Sequence, residues 1–238
     1  MICEIRTYIG TRQIQEDAAG YCITEKGLFS VVCDGVGSRE KGAESSQMAV
    51  QLFIEKFQTS TFENYPNFII NLASEIDEKI FQAYKDKSGT TAVTAYISQN
   101  ELYWFSVGDS RLYILRKGRL KQITTDHNYS YVLSVRKNKQ MIDPETYQKE
   151  LSKGNQLVSF MGMGGIDLVD LNFQPFLMEN NDLLLLTTDG LYNALSLEQI
   201  GDILGSTDAL SNVADLLIEA VKKCETSLDN TTFALIKY

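Results

Sequence analysis

Carboxylates carry most of the chemistry this chain offers. Apolar, strand-like runs close on an aspartate at VVC-Asp34-Gly35, WFSVG-Asp109 and LLLLTT-Asp189-Gly190. Asp229-Asn230 stands before TTFALIKY, and Glu16-Asp17 before the strand at Tyr21. Singly, Asp-Gly after an apolar run reads as a hairpin turn. Together, such runs could gather their charges at one rim, where unpaired carboxylates repel and take up protons. Held by hard divalent cations, which prefer oxygen ligands, the same cluster becomes a Mg2+ or Mn2+ site. Two such ions can share a water, lower its pKa and aim it at a phosphorus atom.

Other chemistries find little support. The one histidine, His127, excludes a His-rich zinc site. Its neighbour Asp126 is placed to fix its ring by a hydrogen bond, which suits a structural role better than a catalytic one. Cys3, Cys22, Cys33 and Cys224 show no CxxC and no Cys-x5-Arg, so neither a zinc ribbon nor a thiolate phosphate loop is indicated. A net charge of −9 repels a phosphate backbone and argues against nucleic acid as partner. No apolar run reaches the roughly 18 residues of a membrane span. MICEIRTY lacks a signal peptide's apolar stretch, so the expected location is cytoplasmic.

The elements that must position these residues are strands and a few helices. GYCIT, LFSVVC, TAVTAYIS, LYWFSV, RLYILR, DLLLLTT and TFALIKY have strand length and composition. Helical period places Ala49, Val50, Phe53 and Phe57 on one face, and Ile69, Leu72, Ile76, Ile80 and Ala83 on another. These two helices, over about 43–57 and 67–85, form an antiparallel pair. A third helix aligns Leu210, Val213, Ala214, Leu217 and Val221. A short one starts at Ser196, with Gln199 completing a capping box and Gly205 beyond its end. Strands and helices do not alternate, which disfavours a doubly wound parallel sheet and predicts an α+β sandwich. One domain spans 1–238. Trp104 and the aromatic strands read as core, and the glycines around Met161 and Met163 as a mobile turn.

Six motifs in order resemble the metal-dependent protein serine/threonine phosphatases of the type 2C (PPM) family, and most closely its compact bacterial members. They run from about Arg12 to Tyr238: Arg12-x-x-x-Glu16-Asp17, VVCDGVGSREKG (31–42), SGTTAV (88–93), SVGDSRLYILRKGRLKQITTDH (106–127), TTDGLYNAL (187–195) and DNTT (229–232). The resemblance implies a central antiparallel β-sandwich flanked by helices, with two Mn2+ or Mg2+ ions in a cleft at one end. It makes Asp34 the bridging ligand and gives Asp189 and Asp229 to the first ion. The Gly35 carbonyl and Glu16 go to the second, and Asp109 to a weaker third. Arg12 would clamp the substrate phosphate and Thr91 would stand close to the site. Asp17 would orient a ligand or water, or cap a turn, and the polar stretch at about 128–155 falls at the family's flap. The implied reaction is hydrolysis of phosphoserine and phosphothreonine in proteins, by attack of a water bridging the two ions. The implied substrates are those of a bacterial serine/threonine kinase, and the expected state is monomeric.

The chain departs from the family at several points. Val36 stands where animal members carry a histidine proposed as general acid, and Gln15 where bacterial members often have asparagine. Asn193 replaces an acidic residue that contributes to the third metal, and LSKGNQLVSFMG (151–162) lacks the usual basic run. A metal water is then left to protonate the leaving oxygen. Two other readings stay open: a non-catalytic regulatory or binding module of this fold, and a phosphatase acting on a non-protein phosphate ester.

Overall fold

The computed structural model describes residues 1–37, 40–206, 209–224 and 228–238. Ser38 and Arg39 of the second motif lie outside the described residues. The chain opens with strands β1 (Ile2–Tyr8), β2 (Asp17–Thr24) and β3 (Gly27–Gly37), followed by helices α1 (Glu40–Thr59) and α2 (Tyr65–Tyr84). Next come β4 (Ser88–Thr90), β5 (Ala92–Ser98), β6 (Glu101–Val107), β7 (Arg111–Arg116) and β8 (Arg119–Gln122), then α3 (Tyr129–Asn138) and α4 (Pro144–Glu150). The remainder holds β9 (Asp170–Leu171), β10 (Phe176–Leu177), β11 (Leu183–Thr187), α5 (Asp189–Ala194), α6 (Leu197–Leu204), α7 (Leu210–Lys222) and β12 (Thr231–Lys237).

Two antiparallel sheets face each other. One runs β1-β12-β11-β7-β8; the other runs β10-β6-β5-β3-β2, with β4 on β3 and β9 on β6. The period-2 strands bury one row between the sheets: Val32, Val93, Leu112, Leu184, Leu186, Ala234 and Ile236 belong to this central layer. The opposite rows face helices. Phe29, Val31 and Cys33 pack with Phe53, Phe57, Ile69 and Ile76 of α1 and α2. Leu185, Phe233 and Leu235 pack with Leu191, Ile200, Val213 and Leu217 of α5–α7. The result is the expected helix–sheet–sheet–helix sandwich. Helix starts follow the sequence signals: Asn64 accepts from the Asn67 N–H with Pro66 in the first turn, and Ser196 and Gln199 close their capping box.

Several expectations change. Asp34 does not end its strand, because β3 continues to Gly37, and Asp189-Gly190 opens α5 instead of a hairpin. The stretch without apolar periodicity after His127 forms α3 and α4, capped by Asn128 and Asp143; only Leu133 among their residues is buried. With so few core contacts, apolar periodicity had nothing to report. Met161 is buried and bridges Thr90, while the Asp77 carboxylate accepts the N–H groups of Gly162 (2.6 Å) and Met163 (3.0 Å). Those bonds pin the glycine turn to α2. Trp104 is only partly buried.

Candidate functional site

The acidic residues meet where the two sheets present the same end. From one sheet, Asp17 opens β2 directly opposite Asp34 in the antiparallel register. From the other, Asp189 follows β11 and Asp229 precedes β12. Asp109 lies in the turn between β6 and β7.

The backbone around Asp34 is held from several sides. Its N–H donates to Thr91 Oγ1 at 2.9 Å, and its carbonyl accepts from the Thr91 N–H at 2.9 Å. The Thr91 hydroxyl reaches Ser110 Oγ at 2.7 Å, tying Asp34 to the Asp109 turn. Thr91 therefore positions the site's backbone. Gly35 is fixed by close approach: a Cβ there would strike the carbonyl oxygens of Gly42 and, at 2.6 Å, Glu16. The Gly35 N–H also donates to the Glu16 carbonyl (3.1 Å), and the Glu16 N–H donates to Asn230 Oδ1 (2.7 Å). Gly42 lies against the Glu16 carboxylate in the first turn of α1, where unpaired helix N–H groups favour negative charge.

Burial and mutual repulsion set the protonation of this cluster. Burial pushes the Asp34 carboxyl well above its ordinary value, and the charges of Asp17, Asp189, Asp109 and Asp229 push it further. Asp17 is raised to about 7, first by burial, against hydrogen bonds from Thr188 and Thr232. Asp109 is also raised to about 7, by burial and then by Asp189 and Asp126. Asp189 is raised by burial and Asp229, opposed by Asn193 and Arg12, and it stands within hydrogen-bonding range of Asp34. Two carboxylates that close need a proton or a cation between them.

Among the described residues, no three of these side chains close into a finished metal cage. Three of them rest on protein partners instead. Asp229 Oδ2 meets Arg12 at 2.5 Å, Asp189 Oδ2 accepts from Asn193 at 3.0 Å, and Asp17 Oδ2 accepts from Thr188 at 2.9 Å. The donor set nevertheless fits hard divalent cations: all its side chains are carboxylates, they crowd, and they hold protons at a cost that a cation would relieve. Arg12 lines a groove of about 200 Å³ with Thr11, Gln13, Ile14 and Glu16.

Sequence reasoning missed the supports. Tyr192 donates to the Asp109 carbonyl (3.0 Å), and the Arg111 guanidinium lies 3.5 Å over the Tyr192 ring. Asp126 binds Arg111 through both oxygens and does not fix His127. His127 is buried, and its Nδ1 accepts from the Gly108 N–H at 3.1 Å, while its backbone N–H donates to the Gly108 carbonyl. Gly108 adopts φ +95°, beside the Thr91 side chain, so the histidine braces a strained turn one residue before Asp109. Burial lowers the His127 pKa, consistent with a neutral ring accepting at Nδ1.

The profile of the protein phosphatase 2C family matches residues 6–229 of this chain. The chain belongs to that family. It is 29% identical over 252 residues to the serine/threonine phosphatase stp of Listeria innocua, covering 100% of this chain and 96% of the relative. It is 26% identical over 246 residues to the protein phosphatase PhpP of Streptococcus pneumoniae, covering 99% and 97%. The crystal structure of the serine/threonine phosphatase Stp1 from Staphylococcus aureus shares the fold, with TM-score 0.84 at 24% identity over 99% of this chain and 94% of that one.

Proposed function

We infer that this member of the protein phosphatase 2C family, a protein serine/threonine phosphatase, works with divalent metal bound at the crowded carboxylate rim. One observation carries the reading: aspartates from both sheets raise one another's pKa at a single end of the sandwich. Asp34 would bridge two Mn2+ or Mg2+ ions, with Asp189 and Asp229 on one, Glu16 and the Gly35 carbonyl on the other, and Asp109 toward a weaker third. Asp17 would set the position of Asp34 from across the strand pair. Bound there, the ions would supply Lewis-acid charge stabilisation and a water acidic enough to act near neutral pH.

The chain's own residues do the rest. Arg12 offers a planar fork of donors to the substrate phosphate, exchanging its contact with Asp229 for one with substrate. Asn193 steadies Asp189, and Thr91 and Tyr192 fix the turns that bear Asp34 and Asp109. Three of the four thiols are poor nucleophiles: Cys3, Cys22 and Cys33 are buried, with pKa values raised, for Cys3 to about 12. His127, occupied with Gly108, is not placed as a general acid. The substrates on this reading are phosphorylated proteins of a bacterial kinase, met in the cytoplasm by a monomer. Among the described residues no helix is long and apolar enough to cross a membrane.

The test is equilibrium dialysis with Mn2+ beside phosphopeptide hydrolysis. Two ions per chain, activity lost in EDTA and restored by Mn2+, and loss of both binding and turnover in Asp34→Asn and Asp189→Asn are expected. Full turnover in EDTA would overturn the reading. Metal binding without phosphopeptide turnover would favour the regulatory module, and turnover of small phosphate esters alone the non-protein substrate.

A further inference from the structure

A second recessed surface lies at the open side of the sandwich, where β8 ends one sheet and β10 ends the other. Register pairs Ile114 with Lys121 and Arg116 with Arg119, so these four side chains and Ile123 share the face turned toward the other sheet. Opposite them stand Trp104 and Phe176. Together they line a groove of about 730 Å³. Its aromatic wall is rigid: Trp104 Nε1 donates to Asp170 at 3.1 Å, and Arg116 lies 4.8 Å over the Phe176 ring.

The charge of this groove opposes that of the protein. Arg116, Lys117, Arg119 and Lys121 fall within six residues of a chain whose net charge is −9. Arg116 is spent on Asp182 (2.6 Å) and Glu179 (3.1 Å), and Lys117 on Glu179 (2.7 Å). Arg119 and Lys121 are exposed and, among the described residues, have no ion-pair partner. Cations on an edge strand also guard it against pairing with another sheet. A guard alone does not account for the recess or its tryptophan.

We propose that this groove docks an extended acidic segment of a partner protein, with an apolar side chain against Trp104 and Phe176 and carboxylates against Arg119 and Lys121. Three features favour a polypeptide. The Ile123 N–H bonds to the Leu112 carbonyl, so antiparallel alternation turns the backbone groups of Leu120 and Gln122 away from β7, toward the open side. An added strand would pair there and present alternate side chains to the groove. Trp104 and Phe176 give the groove an apolar wall for a side chain to bury against. The surface is also concave, which a flat lipid layer does not fill. Six residues of β7 separate this hairpin from the Asp109 turn, about 17 Å at strand rise, so an occupied groove leaves the carboxylate rim open.

Trp104 is the only tryptophan in the chain, so its emission reports on the groove. The probe is an acetylated octapeptide, Glu-Asp-Phe-Asp-Glu-Leu-Asp-Glu amide, also used fluorescein-labelled for anisotropy. It should shift Trp104 emission saturably, bind more weakly in high salt, and lose about tenfold or more in affinity to Arg119→Glu/Lys121→Glu. The milder Arg119→Gln/Lys121→Gln should fall between, and hydrolysis of p-nitrophenyl phosphate by both variants should match wild type. Equal binding of a lysine-for-acid peptide, or unchanged affinity in both variants, would refute the proposal. Binding to phosphatidylglycerol vesicles but not to the peptide would assign the surface to lipid. No binding, with aggregation of the variants, would leave the cations as edge guards only. Peptide binding is read apart from turnover, so an inactive enzyme that still binds separates this inference from the phosphatase reading.

Discussion

Replacing Asp17 by asparagine should stabilise the metal-free protein at pH 8 and leave it nearly unchanged at pH 4. Asp17 is 5% exposed and faces Asp34 across the strand pair. Burial, with Asp189 and Asp229 behind it, lifts its carboxyl from 3.8 to about 7. Between those values the unfolded chain has released a proton that the folded chain keeps, so stability falls as pH rises through this window and stays lost above it. About three pK units at about 1.4 kcal/mol each set a ceiling of about 4 kcal/mol. Asp34 and Asp189 share the same crowding, so removing one charge also relieves them and proton sharing spreads the effect; about 2 kcal/mol is the expected gain. Asparagine keeps an acceptor for the Thr188 hydroxyl, so the hydrogen bond survives. The assay is urea unfolding in EDTA at pH 5, 6, 7 and 8. The wild-type curve should drop below the variant's, the gap widening to about pH 7 and then holding. Saturating Mn2+ should shrink or reverse it. Parallel stability curves for the two proteins in EDTA would show that Asp17 is ionised in the folded state and that the crowding argument is wrong.

Three further outcomes follow from the same contacts. Arg12→Ala should lower kcat/KM on a phosphopeptide about tenfold or more while binding Mn2+ as tightly or up to about fivefold tighter, since an exposed ion pair on Asp229 is worth about 1 kcal/mol at most; weaker Mn2+ binding would contradict this. His127→Ala should lose about 3 kcal/mol of stability, because it strands the Gly108 N–H, yet lower kcat by less than about tenfold; a hundredfold loss with one limb of the pH profile gone would make His127 the acid. Because burial depresses the His127 pKa, its contribution is present above about pH 6.5 and should fade as pH falls below it, which an acid titration of wild type against the variant would detect. Alkylation of the native protein with N-ethylmaleimide should leave turnover largely intact, and Cys224→Ala should match wild type; a trapped phosphocysteine would rule out the metal route.

Period-2 and period-3.6 patterns made the sandwich legible, because strands and helices with a buried face must repeat at those intervals. The acidic residues were legible for another reason: carboxylates beside glycine at the ends of apolar runs are poor candidates for core. Their supports were not. The pairing of Arg111 with Asp126, and of Gly108 with His127, depends on how β7 and β8 fold back, which no local pattern encodes. Nor could spacing reveal that Arg12 would rest on Asp229, 217 residues away. Trp104 shows the limit most plainly. An aromatic residue on a strand predicts burial on average, yet this one sits beside the last strands of both sheets, where the covering layer stops.

The place of β12 has a consequence for when activity can begin during synthesis. This strand lies between β1 and β11, and β1 pairs with no other strand among the described residues. Residues at the first strand must therefore wait for partners more than two hundred positions later, a connection of high contact order that closes late. Asp229, at the entrance to the same strand, arrives with it. A ribosome-bound chain cut short at residue 228 would hold Asp34 and Asp189 without the strand that joins β11 to β1. On the proposed metal-site reading, such a chain would lack a ligand of the first ion and stay inert toward phosphoproteins until β12 is made.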